Sequence, residues 1–554
     1  MTEPTAAGTV GGAAAVAARE SVWAPLRVRA FRVLWFAQLG SMLGTWMQTV
    51  GAQWLLVDEP NAETLVAMVQ VAAMGPMLLL ALPAGALADI MDRRRLLIGV
   101  QAFQVCVGIG LTALTLADRM PPALLLTFTF LLGSCMALTL PAYQALVQEL
   151  VPRDQVPSAA ALGGVAVNGA RAVGPALAGL VIAQVGAAAV FAINAAAAVA
   201  FAVVLTAGRH PGGGRGALPE RFTGAMRAGQ RYVRNSPVVR RMLLRVVLFV
   251  LPGAAMWALL PLVASRLLGT GAAGYGLLLG ALGAGAVLGA DLLPRLSSRL
   301  SHNGLMLVSG LAYAASLLAC VLVDSLVVLA VLLVPAGIAW LAVLMTVTGA
   351  LQVFLPGWVR ARGLSMFNIV FAFGQAGGAL AWGLVARWFG LVPAFAAAAV
   401  LMAVGAVTVL VWPLRDVTGW DRDPAVYWPE PDLAHEADPE SGPVVVTITY
   451  TVDEENVPAF LEAMEQVRRS RLRTGASSCE LYRDGSDPAR FVQVAHYRTW
   501  GEHLRQHADR LTGTDQARDA AADALAVAPP VVAHLFPTGI TPGPRRNRGG
   551  RDGR

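Results

Sequence analysis

Lysine is missing altogether: every one of the 42 basic residues in this 554-residue chain is arginine. Charge of either sign is scarce, at 14% of residues, where a soluble globular chain carries about 25%. The deficit sits in the first three quarters of the sequence, so that part is not an ordinary water-exposed domain. Cysteine is nearly absent too. Cys106, Cys135, Cys320 and Cys479 show neither metal-ligand spacing nor a disulfide framework. No P-loop or other nucleotide motif occurs, which argues against an ATP-driven pump. Residues 1–20, MTEPTAAGTVGGAAAVAARE, lack a basic segment followed by an apolar one, and read as a tail rather than a cleaved signal. The arginines are spread over many short loops, which is not a nucleic-acid footprint.

What the chain does have is apolar length. Hydrophobic residues make up 56% of it and the mean hydropathy is +0.59. Predominantly apolar runs fall at residues 65–87, 96–117, 121–146, 181–207 and 391–411. A run of about 18 residues or more crosses roughly 30 Å of hydrocarbon as a helix. In lipid each helix must satisfy its own backbone, so the fold class is an all-α polytopic membrane protein. Twelve transmembrane helices are predicted, near residues 32–57, 64–88, 95–117, 122–147, 160–184, 187–208, 242–266, 273–296, 303–323, 326–350, 363–386 and 391–413. With the N-terminus inside, nineteen arginines fall in inner segments, and only Arg119, Arg266 and Arg387 in outer ones. That bias supports the count, because losing one helix would invert every later loop.

The implied organisation is a cytoplasmic tail (1–31), a six-helix bundle (32–208), a cytoplasmic central loop (209–241) and a second six-helix bundle (242–414). An acidic, Pro-rich linker (415–442), a small soluble α+β unit (443–537) and a disordered basic tail (538–554) follow. Two near-equal six-helix halves suggest a duplicated transporter rather than a channel or scaffold. The basic and apolar residues of the central loop suit a helix lying on the inner leaflet.

Four stretches carry the candidate chemistry. In PAGALADIMDRRRLLIG, residues 83–99, Gly85 and Asp89 are four apart and share a helical face, and Arg93, Arg94 and Arg95 lie at the anionic inner surface. In NGARAVGPALAGLV, residues 168–181, Gly169, Gly174 and Gly179 recur every five residues around Pro175. Small residues there permit close packing, and proline bends the helix. Arg171 in this helix either faces a cavity or partner, or snorkels to the inner surface. Glu149, ending the fourth helix, is expected to pair with Arg171 or with the loop arginines. The first helix carries Gln38, Ser41, Thr45, Gln48 and Gln53, a polar stripe of the kind that lines a bundle interior. Gln38, Thr45, Gln48, Asn168 and Arg171 are therefore expected to line the pore. Asn368 and Gln375 in the eleventh helix are read either as pore lining or as packing.

GALADIMDRRRLL resembles the loop signature of the major facilitator superfamily, roughly Gly-x-Leu-Ala-Asp-Arg-x-Gly-Arg-Arg-x-Leu. It departs from that signature at Ile90 and Asp92. The second-half counterpart, GADLLPRLSSRLSHNG at 289–304, keeps a glycine and basic residues but sets Asp291 only two residues after Gly289. The 168–181 stretch is similar to the fifth-helix motif of drug–proton antiporters. GTWMQ in the first helix and FNIVFAFGQAGGALAWG at 367–383 resemble the enterobactin-exporter-like branch, which includes macrolide efflux proteins. The resemblance covers about residues 25–415. It implies gating by Gly85, Asp89, Arg93, Arg94, Arg95, Glu149, Gly174 and Pro175. It also implies alternating access and proton coupling, although the fourth helix lacks the arginine that many proton-coupled relatives carry.

The soluble unit reads β-α-β-β-α-β and resembles the ferredoxin-like dimeric barrels of antibiotic-biosynthesis monooxygenases, which implies dimerisation. His503 and His507 are four apart on one helical face, with His496 near in sequence. A zinc site needs a third ligand and usually a supporting carboxylate, and HLRQH is not HExxH. No metal, no cofactor and no catalytic residue are therefore expected, and the unit is read as regulatory or dimerising. The leading expectation is a secondary-active exporter of a hydrophobic drug or siderophore-like small molecule in the inner (plasma) membrane, with both termini cytoplasmic. Its partners are the bilayer and a small-molecule substrate, not nucleic acid. Two alternatives stand beside it: a transporter whose C-terminal unit modifies the exported compound, and an importer of a small metabolite.

Overall fold

The computed structural model describes residues 23–207, 222–414, 421, 425–428, 433 and 437–537. Most of the N-terminal tail, the Gly-rich start of the central loop, much of the linker and the basic tail lie outside these described residues. Among the described residues thirteen α-helices precede the C-terminal α+β unit: α1 (Arg29–Leu55), α2 (Ala62–Ile90), α3 (Arg93–Leu116), α4 (Pro122–Leu150), α5 (Val156–Val185), α6 (Ala187–Ala207), α7 (Phe222–Asn235), α8 (Pro237–Leu262), α9 (Ala272–Arg299), α10 (His302–Leu322), α11 (Leu326–Phe354), α12 (Gly357–Phe389) and α13 (Leu391–Val411).

Eleven of the described helices are long and apolar enough to cross a membrane. Two are not, α1 and α7. The first has the length, at 27 residues, but its glutamines, serine and threonines dilute its apolarity. The count of twelve therefore differs from the eleven that length and composition alone support.

The chain divides into two compact units, residues 1–215, 261–287 and 325–334 in one, and 216–260, 288–324 and 335–554 in the other. In the first, α1 packs on α5 and α6, α2 on α4, and α3 on α4 and α6. Phe31, Leu34, Leu97, Leu146 and Phe201 form its buried centre. The Trp35 indole donates to the Leu162 carbonyl at 2.9 Å, tying α1 to α5. In the second unit α13 packs on α10 and α12, and the Trp382 indole of α12 donates to the Leu251 carbonyl of α8 at 2.9 Å.

Two helix junctions repeat one conformation. Gly186 joins α5 to α6 with φ +94° and Gly390 joins α12 to α13 with φ +93°. Only glycine adopts such a backbone without strain, and it turns the chain from one long helix into the next through a single residue.

The first unit also contains a close approach of α9 to α5. A Cβ built on Gly276 would lie 2.8 Å from Gly179 Cα, on Gly280 3.1 Å from Ala176 Cβ, and on Gly283 2.2 Å from Ala172 Cα. Positions 276, 280 and 283 of α9 thus meet 179, 176 and 172 of α5. Both helices show small residues at i, i+4 and i+7, one face of a 3.6-residue helix.

The C-terminal α+β unit follows the expected β-α-β-β-α-β order with one helix more than expected, α16, before the last strand: β1 (Val444–Thr451), α14 (Val457–Thr474), β2 (Ser478–Arg483), β3 (Arg490–Tyr497), α15 (Trp500–Arg505), α16 (Gly513–Asp523) and β4 (Val531–Leu535). The sheet order is β2-β3-β1-β4, with every pairing antiparallel. Between α15 and α16 the chain widens into a π turn, Gln506–Arg510.

Helix α7 falls in the stretch of the central loop where a helix on the inner leaflet is expected. Its Ala228 and Tyr232 are buried, and it packs on α14 and α12. The Arg473 guanidinium sits 5.7 Å from the Tyr232 ring, Tyr232 is 5.8 Å edge-on to Trp358, and Arg510 lies 4.8 Å from the Trp358 ring. Arg231 pairs with Glu502 at 3.7 Å. These contacts tie the described part of α7 to α12 and to the C-terminal unit.

Candidate functional site

The arginine loop starts at a helix cap. Asp92 is the N-cap of α3 and accepts from the Arg95 amide at 2.9 Å. Aspartate here satisfies one of the free amides of the first turn, which glycine could not do. Its departure from the loop signature thus has a local cause. Arg93 pairs with Glu149 at the end of α4, so Glu149 meets a loop arginine. Arg94 donates from Nε to the Leu205 carbonyl and from Nη2 to that of Thr206, both at 2.7 Å, at the C-terminal end of α6. A cation there also meets the negative end of that helix. Arg95 is exposed. The loop thus gathers the ends of α3, α4 and α6. Gly85 and Asp89 lie in α2, but their side-chain surroundings are outside the described residues.

Removing the charge of a partly exposed pair costs little, about 0–1 kcal/mol. Glu149→Gln is accordingly expected to lower transport by no more than about fivefold, with membrane insertion unchanged. The swapped pair, Arg93→Glu with Glu149→Arg, should restore it. A swap as impaired as its worse single variant would argue against the pair acting as a latch.

The intramembrane arginine has an aromatic partner. Arg171 Cζ lies 5.4 Å from the Trp46 ring centroid, and a Cβ on Gly174 would come 2.8 Å from Trp46 Cβ. Trp46, Arg171 and Gly174 form one contact between α1 and α5. Pro175 is buried beside it. The five-residue glycine spacing now has a meaning. Each step of five turns about 140° around the helix, so Gly174 faces α1, Gly179 faces α9, and Gly169 has nothing within 4 Å.

The polar stripe of α1 divides into bonded and unbonded groups. Thr45 Oγ1 donates to the Ser41 carbonyl at 2.9 Å, within its own helix. Asn168 Nδ2 likewise donates to Gly164 at 3.0 Å. Gln53 Oε1 accepts from the Tyr275 hydroxyl at 2.5 Å. Gln38 Oε1 and Gln48 Nε2 are buried without a hydrogen-bond partner among the described residues. In α12, Gln375 is buried and its Oε1 is similarly unbonded. Asn368, two turns earlier, is exposed. Arg245 of α8 was not singled out from the sequence. It is buried, and its guanidinium donates to Thr408 Oγ1 at 2.6 Å and to the carbonyls of Gly405, Thr408 and Trp412. It caps α13, a structural role for an intramembrane charge.

In the soluble unit the histidines regroup. His503 Nε2 lies 3.0 Å from His534 Nε2 and 3.2 Å from His507 Nε2. His496 is elsewhere, its Nδ1 3.0 Å from Ser478 Oγ on the exposed side of β3. Sequence alone supplied the pair on α15 and the π turn. The third ring comes from β4, where His534 faces Val446 of β1 across the sheet ladder. Tyr497, Trp500 and Trp428 ring His503 at 4.7, 5.2 and 6.2 Å. Burial, then the neighbouring His507 and His534, push the His503 ring down to about 2, so it is neutral near pH 7. Trp428 belongs to the linker. It packs 4.9 Å from His507 and under Arg471 at 4.2 Å, and Tyr427 donates to Asp519 at 2.5 Å. Part of the linker is thus a strap on the soluble unit.

Comparison with known proteins agrees with the helical part of this architecture. Residues 20–538 match the family described as transmembrane secretion effector. The Staphyloferrin A transporter of Staphylococcus aureus (strain NCTC 8325 / PS 47) is 28% identical over 142 residues, 26% of this chain and 36% of that transporter's length. Among solved structures, an inward-facing, unoccupied bacterial homolog of the human lysosomal transporter Spinster aligns with TM-score 0.54 at 15% identity, over 70% of this chain and 95% of that one. The nucleoside transporter NupG aligns with TM-score 0.53 at 14% identity, over 69% and 98%. At such identities the likeness is one of fold. The chain belongs to the transmembrane secretion effector family and is a membrane transporter of the major facilitator type.

Proposed function

We propose that the chain exports a hydrophobic or siderophore-like small molecule by alternating access. The observation that carries this reading is Arg171 against Trp46, at 5.4 Å, on the helix that bears the polar stripe. A charge held within a membrane helix is costly and is kept where it meets a cavity, a ligand or a partner within the protein. A ring face beside it suits a substrate with an anionic and an aromatic part. In the same unit, the unbonded amide atoms of Gln38 and Gln48 add a donor and an acceptor that need partners. The similarity to a Staphyloferrin A transporter supports a siderophore-like cargo, and the description of the family supports the outward direction.

Twelve spans in two related halves are part of the same proposal. The Gly186 and Gly390 junctions share one conformation. Gly108 meets Ala195 in the first unit as Gly310 meets Ala406 in the second. A lining role for α1 explains why a helix of 27 residues stays polar. Arginine distribution supports cytoplasmic termini and an inner-membrane location. Proton coupling rests on resemblance alone. Exposed Val531, Val532 and Leu535 on edge strand β4 support self-association of the soluble unit.

The decisive assay is accumulation of a carboxylate siderophore and of a hydrophobic dye in inside-out vesicles, with and without a proton gradient. Gradient-dependent accumulation is the expected result. A cation–π contact of about 1–2 kcal/mol predicts that Arg171→Gln lowers transport about 5–30-fold. Accumulation only in right-side-out vesicles would replace export by import.

A further inference from the structure

We propose that His503, His507 and His534 form a binding site for a divalent first-row transition ion of the zinc class, in the soluble unit and independent of the transport pathway. The three rings offer ligand atoms that all lie within 4.8 Å of one another. Two of the Nε2–Nε2 separations are 3.0 and 3.2 Å. Three nitrogens bound at 2.0–2.1 Å to a tetrahedral ion stand about 3.4 Å apart, so the cluster is within a few tenths of an ångström of the required spacing on two edges. The third pair also lies within 4.8 Å, so ion binding requires a modest side-chain rotation there.

Hydrogen bonding alone satisfies the arrangement poorly. A neutral imidazole nitrogen either donates one proton or accepts through one lone pair. His503 Nε2 therefore cannot donate to one neighbour and accept from the other. A cation removes the conflict, because all three Nε2 atoms then present lone pairs and the ring protons sit on Nδ1. The ligand set also decides the metal class. Imidazole nitrogens without thiolate or carboxylate suit zinc, copper, nickel and cobalt, and do not suit magnesium or calcium.

The chain places the ligands with specific devices. Residues 503 and 507 are one turn apart, and the π turn at Gln506–Arg510 re-aims the second of them. Such local widenings of a helix recur at functional sites. His534 is delivered by β4, the strand that closes the sheet against β1. Among the described residues these three make the only such cluster. Three protein ligands leave a fourth position for water or an exchangeable small ligand, the pattern of an open rather than a purely structural site. Trp428 of the linker strap packs on His507, 4.9 Å between ring centroids. It shields the site on one side.

The test uses the full chain purified through a non-histidine tag, stripped with chelator and dialysed against Zn²⁺. Elemental analysis should find a single equivalent of zinc per chain. His503→Gln and His534→Gln should each lower that content at least about tenfold, while His496→Ala, outside the cluster, retains it. Wild-type protein that emerges metal-free, or a His534→Gln protein that keeps the wild-type content, overturns the site. Should the glutamine variants fail to fold, Co²⁺ added to the wild-type chain decides the matter alone. Intense visible absorption of a four-coordinate ion supports the site, and a spectrum unchanged from aqueous Co²⁺ sinks it.

Discussion

Gly283→Ala is expected to reduce transport by about tenfold or more. The new Cβ would stand 2.2 Å from Ala172 Cα and 2.9 Å from its backbone nitrogen. Those atoms are main chain, so no rotamer change relieves the clash. The helices α5 and α9 must separate, and the contacts at Gly276 and Gly280 are then lost with it. Overpacking of a tight interface costs about 1–3 kcal/mol, occasionally more. Gly169→Ala provides the control, since nothing lies within 4 Å of the atom it adds. The measurement is transport rate normalised to the amount of inserted protein. Equal rates for the two alanine variants would mean that the α5–α9 contact is not essential to the cycle.

Asp515→Ala should destabilise the soluble unit by about 3–5 kcal/mol, the usual cost of removing one member of a buried ion pair. The Asp515 carboxylate is fully buried and pairs with Arg473. It also accepts from Ser470 Oγ at 2.8 Å, and from Thr512 Oγ1 at 2.8 Å and the Thr512 amide at 3.2 Å, closing the capping box of α16. Without it, Arg473 is left as an uncompensated buried charge. Denaturation of the full chain, followed by tryptophan fluorescence, reads the change. Ser470→Ala, which removes only a neutral donor, should cost about 1 kcal/mol. A loss for Asp515→Ala no larger than that of Ser470→Ala would show the pair to be dispensable. The pH dependence has a definite sign. Burial alone would raise this carboxyl, but the Arg473 charge and the hydroxyl bonds outweigh it and hold it below the usual range. Its contribution is therefore complete above about pH 3.9, the ordinary carboxylate value, and is lost as pH falls through the lower folded value.

The membrane helices were largely legible because lipid permits only one local solution to an apolar run. Boundaries shifted by a few residues, and α1 escaped the apolar criterion for the same reason that it drew attention as a polar stripe. Contacts that depend on two distant segments were not legible. The Gly276, Gly280 and Gly283 stripe has meaning only opposite Ala172, Ala176 and Gly179. His534 sits 27 residues beyond His507, and nothing in its neighbourhood marks it until β4 pairs with β1. Arg245 hid inside an apolar run because its partners are carbonyls, which every residue has. Asp92 could have been read correctly, since a short acidic side chain before a helix is a cap signal in any sequence.

The seating of α7 between α12 and α14 has a practical consequence for imaging. Membrane bundles without a soluble feature are hard to align in electron micrographs, because the detergent belt hides them. Here the soluble unit is fastened to its own part of the chain by Arg231–Glu502, Arg473–Tyr232 and Arg510–Trp358. An antibody fragment raised against the sheet would ride rigidly with α7 and α12. It would serve as a built-in alignment mark for following that part of the transporter through its cycle.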